Sequence, residues 1–215
     1  MALLKSKDIP EDAVILNEAE AISYVWDLVS DWQPSSETWA LRYGSSILGG
    51  VNAISGVLIN NHFRKKLKVG SYGFFASVLP ISVMPGIITT MFHRHLISTD
   101  ILLMKKTCPI CYEMRSAAIQ FGMGMVYPMV LAPNTSLMLA NRYYTARVPH
   151  LNEGVKVMYN FLKKIIKPLQ GTLVLIATTQ FLASSVITYF EMNNHLRMKK
   201  KLMEIEEVVL SKQNK

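Results

Sequence analysis

His93, His95, Cys108 and Cys111 are the side chains whose types and spacing could do chemistry: an H-x-H pair, twelve residues, then the C-x-x-C of KKTCPICYEMRS, which holds both cysteines of the chain. Two imidazoles and two thiolates are the right donors for a tetrahedral zinc site, although the spacing is that of no familiar finger. The cysteines alone could instead form a redox couple, a structural disulfide if their loop faces an oxidising compartment, or a pair with no chemistry. A cycling dithiol needs a helix N-terminus within an α/β domain to activate its thiolate. The surrounding elements decide whether one exists.

They supply no such domain. Half of the 215 residues are hydrophobic and 18% are charged, with a mean hydropathy of +0.22. That is too apolar for an ordinary soluble domain. Residues 43–63, 69–92, 116–141 and 168–190 contain no Lys, Arg, Asp or Glu, and basic residues bracket each run: Arg42 and Arg64, Lys68 and Arg94, Arg115 and Arg142, Lys167 and Arg197. About 20 apolar helical residues cross the hydrocarbon core. The expected fold is therefore an all-α membrane protein, a four-span helical bundle over residues 42–192 with both termini on one side. Buried helices of soluble proteins seldom run so long without a charge.

Two features of the spans bear on packing. YPMVLAPNTS puts Pro128, Pro133 and Asn134 in the second half of the third span. The missing backbone donors predict a kink, a break near Pro133 or partial insertion, with freed carbonyls satisfied inside the bundle. In the first span Ser45, Gly49 and Ala53 fall four apart, as do Asn52, Gly56 and Asn60. Such stripes allow close helix approach and interhelical hydrogen bonds.

Amphipathic segments flank the bundle. Residues 1–41 read as an amphipathic helix and linker: over 10–32, Ile15, Ala19, Ile22, Trp26 and Val29 recur at helical spacing, with Glu11, Asp12, Glu18, Glu20 and Asp27 elsewhere, and QPSSE then breaks the helix. Residues 193–215 read as a helical tail with Leu202, Ile205 and Val209 on one face, three lysines at 199–201, and then Glu204, Glu206 and Glu207. It is either a surface-lying or partner-binding helix or a solvated tail. The first residues lack the pattern of a secretory signal, and their carboxylates are unlike an Arg-rich cleavable presequence, so an import signal is expected to be internal.

Other signatures of catalysis do not occur: no Gly-rich phosphate loop, no H-E-x-x-H, no G-x-S-x-G. No carboxylate falls inside an uncharged span to mark a proton or ion path. Asn52, Gln120, Asn134 and Gln180 are amides that read as interhelical ties. The sequence points to a non-enzyme with no cofactor, whose formal charge of +8 suits loops flanking spans and anionic lipid rather than nucleic acid. A candidate partner surface lies in RYYTARVPHLNEGVKVMYNFLKKIIK, where Tyr143, Tyr144 and Arg147 are of types enriched in hot spots and Val157, Phe161 and Ile165 line one side of an amphipathic run. The competing reading is a membrane-surface helix with its tyrosines at headgroup level. A small multi-pass transporter or channel, or a Cys/His metal- or redox-dependent membrane protein, is the alternative class.

At NHFRKKLKV (61–69), CPICYEMRSA (108–117) and VYPMVLAPNTSLMLANRYYTARVPHLNEG (126–154) the sequence resembles the transmembrane protein 126 family of mitochondrial inner-membrane proteins. The resemblance spans roughly residues 40–190, and the cysteine pair is more similar to the A than to the B paralogue. It implies a non-catalytic assembly factor and scaffold for membrane-arm intermediates of respiratory complex I. It also implies partners: complex I membrane-arm subunits and the assembly factors ECSIT, an acyl-CoA dehydrogenase family member and a CIA30-type factor. Loop Lys and Arg count nine on the side of the termini and ten opposite, close to balance; the dense RKKLK turn and acidic N-terminal helix favour termini in the intermembrane space.

Overall fold

The computed structural model describes residues 16–105, 108–149 and 155–213. Among them lie five helices: α1 (Glu18–Asp31), α2 (Trp39–Lys66), α3 (Phe74–Leu102), α4 (109–142) and α5 (155–213). Of these, α3 and the stretch Lys156–Val208 of α5 are long and apolar enough to cross a membrane. Among the described residues the chain is all-helical, with α2 packed most closely on α3 and to a similar extent on α4 and α5, and α4 also on α5.

The distribution of polarity is inverted relative to a soluble bundle. Asn52, Asn60, Thr89, Gln120, Gln180 and Glu191 are buried, whereas Ile54, Phe75, Val130, Met138, Val174 and Leu182 face outward. Water rewards the opposite arrangement; hydrocarbon rewards this one, because polar side chains find partners only between helices.

Glycine sets the α2–α3 spacing. A Cβ on Gly49 would stand 2.5 Å from the Gly86 carbonyl oxygen, and one on Gly56 would stand 2.6 Å from that of Ile81. Both small-residue stripes face α3: Ala53 meets Gly86, while Asn52 and Asn60 reach Thr89 and Ser77. Ser45 is buried on the same helix.

The prolines do not break α4. Its helix continues from Tyr127 through Pro133 to Arg142, and the irregularity sits a turn before Pro128 as a wide π turn, Gly122–Val126, closed by Tyr127 N–H donating to the Gly122 carbonyl. A matching π turn, Leu79–Val83, precedes Pro85 in α3. Each wide turn absorbs the ring and missing donor that would otherwise split the helix. After Pro133, Asn134 Nδ2 donates to the Val130 carbonyl at 2.9 Å and Thr135 Oγ1 to that of Leu131 at 3.0 Å, so side chains brace the turn. Asn134 thus bonds its own helix and is not an interhelical tie.

The flanking helices join the bundle instead of lying apart. Helix α1 begins with a capping box, Asn17 N–H donating to Glu20 at 3.0 Å, and ends where Arg42 donates to the Val29 and Trp32 carbonyls at 3.0 and 2.8 Å. Its inward face is Val25 and Val29 against Leu41, Leu102 and Met198, with Trp26 and Leu202 at the margin. That face keeps Ile22, Trp26 and Val29 of the expected set and adds Val25, while Ala19 is exposed and Ile15 lies outside the described residues. Trp26 anchors it, its ring beneath the Arg94 guanidinium at 4.1 Å and its Nε1–H on Thr99 Oγ1 at 3.2 Å. The C-terminal segment is no separate tail. It continues α5 without interruption, ties Lys201 to Glu37, and leaves Ile205 exposed; the side chain of Val209 lies outside the described residues.

Candidate functional site: a buried polar axis

Three polar layers run through the bundle. The first closes the α2–α3 turn. Arg64, almost fully buried, donates through Nη2 to the carbonyls of Gly70 and Tyr72 at 2.5 and 2.9 Å and through Nη1 to Ser77 Oγ at 2.9 Å, and Asn60 Nδ2 reaches the same Ser77 at 3.3 Å. A planar guanidinium directs donors from two separate nitrogens at once, which lets it hold the loop in this way where a single ammonium nitrogen would not.

The second layer lies at mid-bundle. Gln120 Nε2 on α4 donates to Gln180 Oε1 on α5 at 2.7 Å and to the Leu48 carbonyl on α2 at 3.1 Å, while Gln180 Nε2 donates to Ser55 Oγ at 2.7 Å. Beside them Asn52 Nδ2 donates to Thr89 Oγ1 at 2.6 Å. Gly124, inside the π turn of α4, permits the approach: a Cβ there would fall 2.7 Å from Gln180 Cδ and collide with Asn52. All four long helices are tied at this level.

The third layer holds ionisable groups. His93 Nε2 lies 3.1 Å from both carboxylate oxygens of Glu191, Ser98 Oγ donates to Glu191 Oε1 at 3.0 Å, and Ser116 Oγ is 3.3 Å from His93 Nδ1. His93, Ser98, Ser116 and Glu191 are all at most 1% exposed. The second π turn of α3, Arg94–Ser98, brings Ser98 alongside His93. Gly44 lets α2 cover the carboxylate, since a Cβ there would sit 3.1 Å from Glu191 Oε1.

The order serine, imidazole, carboxylate is that of acyl-transfer triads. Here Ser116 sits in mid-helix, where neighbouring N–H groups are spent on i→i−4 bonds, so no oxyanion hole adjoins it, and its burial leaves a carbonyl carbon no approach. The layer links α4 to α3 to α5 in a chain that runs from Ser116 through His93 to Glu191.

The structure separates the four nominated metal ligands. His93 points to Glu191, whereas His95, two residues on and therefore across the helix, is exposed; Cys108 caps α4 and Cys111 lies in its first turn, both exposed. Among the described residues no group of three or more His, Cys, Asp or Glu is placed to hold a metal. Tyr143 stacks on Tyr72 with centroids 4.6 Å apart, Arg147 is exposed, and Tyr144 is 91% exposed with a left-handed φ of 54°.

Sequence reasoning missed Glu191, Ser98 and Ser116. The statement that no carboxylate enters the spans is corrected by Glu191, which follows the uncharged run ending at Phe190 by one residue, just as His93 follows the run ending at Phe92. An imidazole and an acid, each one residue past the end of an uncharged run, on two helices that run in the same direction were the available signal.

Comparison with known proteins adds the following. The family description "Transmembrane protein 126" matches residues 25–203. Transmembrane protein 126 of Drosophila melanogaster is 36% identical over 97% of this chain and 95% of its own length. Transmembrane protein 126A of Rattus norvegicus is 30% identical over 63% of this chain and 66% of its own, and that of Homo sapiens 28% identical over 63% and 71%. No solved structure matches the chain.

Proposed function

The chain belongs to the transmembrane protein 126 family, and from that premise we propose that it is a non-catalytic scaffold of the mitochondrial inner membrane that holds membrane-arm intermediates of respiratory complex I during assembly. The observation that carries the membrane part is the inverted polarity: apolar side chains cover the outside of α2 to α5 while amides, hydroxyls and Glu191 are buried between them. Each of the four long helices has at least 28 residues, or about 42 Å at 1.5 Å per residue, against a hydrocarbon core of about 30 Å. All four spanning, antiparallel in sequence order, leaves α1 and the end of α5 on one side, where they pack together. The mitochondrial location, the partners and the assembly role rest on the resemblance. A bundle in which three buried polar layers tie the helices together and whose outer face is apolar suits a protein that shields membrane-embedded subunits awaiting their neighbours.

Removing the protein should deplete mature complex I and leave other respiratory complexes largely intact on native gels. Normal complex I with no stalled subassembly would reject the role. One observation favours a second reading: among the described residues Asn52 Oδ1 and Gln120 Oε1 in the central layer have no hydrogen-bond partner. Buried acceptors of this kind are what a hydrated transport path would use. Solute or proton flux through liposomes containing the purified protein, abolished by Gln120→Leu, would establish that reading.

A further inference from the structure

We propose that the cleft at the α2–α3 turn binds the phosphate of an anionic phospholipid. It has a volume of about 350 Å³ and is lined by Asn61, Arg64, Lys65, Lys68 and Gly70. Arg64 is already committed to the loop carbonyls and Ser77, so it builds the floor. Lys65 and Lys68 are exposed, and among the described residues neither makes an ion pair.

Three observations favour a bound anion. Residues 61–74, 141–149 and 155–170 carry ten Lys or Arg and no Asp or Glu, and contacts from His62 to Ile165 and from Thr145 to Leu67 gather these segments at one end of the bundle. Among the described residues of these segments no carboxylate offsets that charge. Second, Lys68 occupies the left-handed position that ends α2, with φ 53°, where its Cβ is strained and glycine is favoured. Its side chain nonetheless lines the cleft. Third, the cleft sits where polar surface meets apolar surface: Tyr72 stacks on Tyr143, and Phe74 and Phe75 open the apolar outer face of α3 one turn further on. A headgroup phosphate on Lys65 and Lys68 would leave its acyl chains along that face, which a soluble phosphate could not use. The inference rests on the membrane reading of the bundle and not on the assembly role.

The test is native mass spectrometry of the full-length protein in mild detergent, titrated with phosphatidylglycerol, phosphatidylcholine or inorganic phosphate. Phosphatidylglycerol should bind the wild type in preference to phosphatidylcholine. Lys65→Gln with Lys68→Gln should weaken it roughly thirtyfold, at about 1 kcal/mol per lysine, while Lys65→Arg with Lys68→Arg retains it. Thermal melting in lipid-free detergent checks that each variant is folded. Equal binding of both lipids, displacement of lipid by millimolar inorganic phosphate, or an equal loss in the control Lys163→Gln with Lys164→Gln would overturn the proposal. Failure of the wild type to stay membrane-bound in alkaline extraction would instead overturn the reading beneath it.

Discussion

Cutting the His93–Glu191 lock should destabilise the bundle more than removing any neutral tie. Glu191→Ala strands the Ser98 hydroxyl and the His93 Nε2 in a dry interior, and His93→Ala strands the carboxylate and Ser116. Breaking a buried pair by deleting one partner costs about 3–5 kcal/mol. Glu191→Gln keeps one acceptor oxygen and replaces the other by an N–H donor, so it should cost less than the alanine, about 1.5–3 kcal/mol. Because the two groups meet directly, the double alanine variant should cost well under the sum, with a coupling of about 2 kcal/mol or more. Ordinary interhelical hydrogen bonds in membranes couple by about 0.6 kcal/mol, so the value separates a lock from a tie. Reversible unfolding of the purified protein in bicelles supplies the cycle. Single costs below about 1 kcal/mol that simply add would refute the assignment of this layer as the main fastening of α3, α4 and α5.

Four further outcomes follow from the geometry. Gly49→Leu, aimed at the Gly86 carbonyl, should cost about 1–3 kcal/mol, whereas Gly122→Ala, with nothing within 4 Å of its Cβ, should be neutral or stabilising by bicelle unfolding. Tyr144→Gly should gain about 1 kcal/mol by relieving a left-handed tyrosine, yet lose partners on affinity capture if the exposed ring is an anchor; capture equal to the wild type would make the surface a lipid-facing one. Cys108→Ser with Cys111→Ser should change stability by less than about 0.5 kcal/mol and leave the protein without stoichiometric zinc before or after; a defect shared with His95→Ala would revive the metal site. Glu37 is held below the usual carboxylate range first by the Lys201 ammonium and then by the Trp32 indole N–H. Its contribution to docking the C-terminal end of α5 is therefore present above the unfolded carboxylate value and fades as pH falls through the lowered one, which an NMR titration of Glu37 in wild type and Lys201→Ala can follow.

Helix number and the small-residue faces were legible because both depend on local periodicity. Three of the uncharged runs lie within long helices, the remaining one, 69–92, enters α3 only at Phe74 because residues 69–73 form the turn, and the Gly49 and Gly56 stripes are where α2 meets α3. The course of the chain through its prolines was not legible, since a π turn is a one-residue insertion with no residue type of its own; Gly122–Val126 accommodates Pro128 where a break was expected near Pro133. The site was hidden for a related reason. Treating charge as the edge of a span placed His93 and Glu191 outside the bundle, although a carboxylate that shares both oxygens with an imidazole and a hydroxyl can be buried. The metal hypothesis failed on helical phase, because His93 and His95 stand on opposite sides of α3. The inward face of α1 was legible in Ile22, Trp26 and Val29, but its anchorage was not, since Trp26 meets Arg94 and Thr99 more than sixty residues away in sequence.

The central claim is that this bundle is a membrane scaffold for complex I intermediates. Its most direct test is purification of the tagged full-length protein from mitochondria in mild detergent, followed by mass spectrometry of what co-migrates on a native gel. Membrane-arm subunits and assembly factors of complex I migrating with it, and lost from the Tyr144→Ala with Arg147→Ala variant that still inserts, are the result this account expects. A homogeneous band containing this chain alone would contradict it.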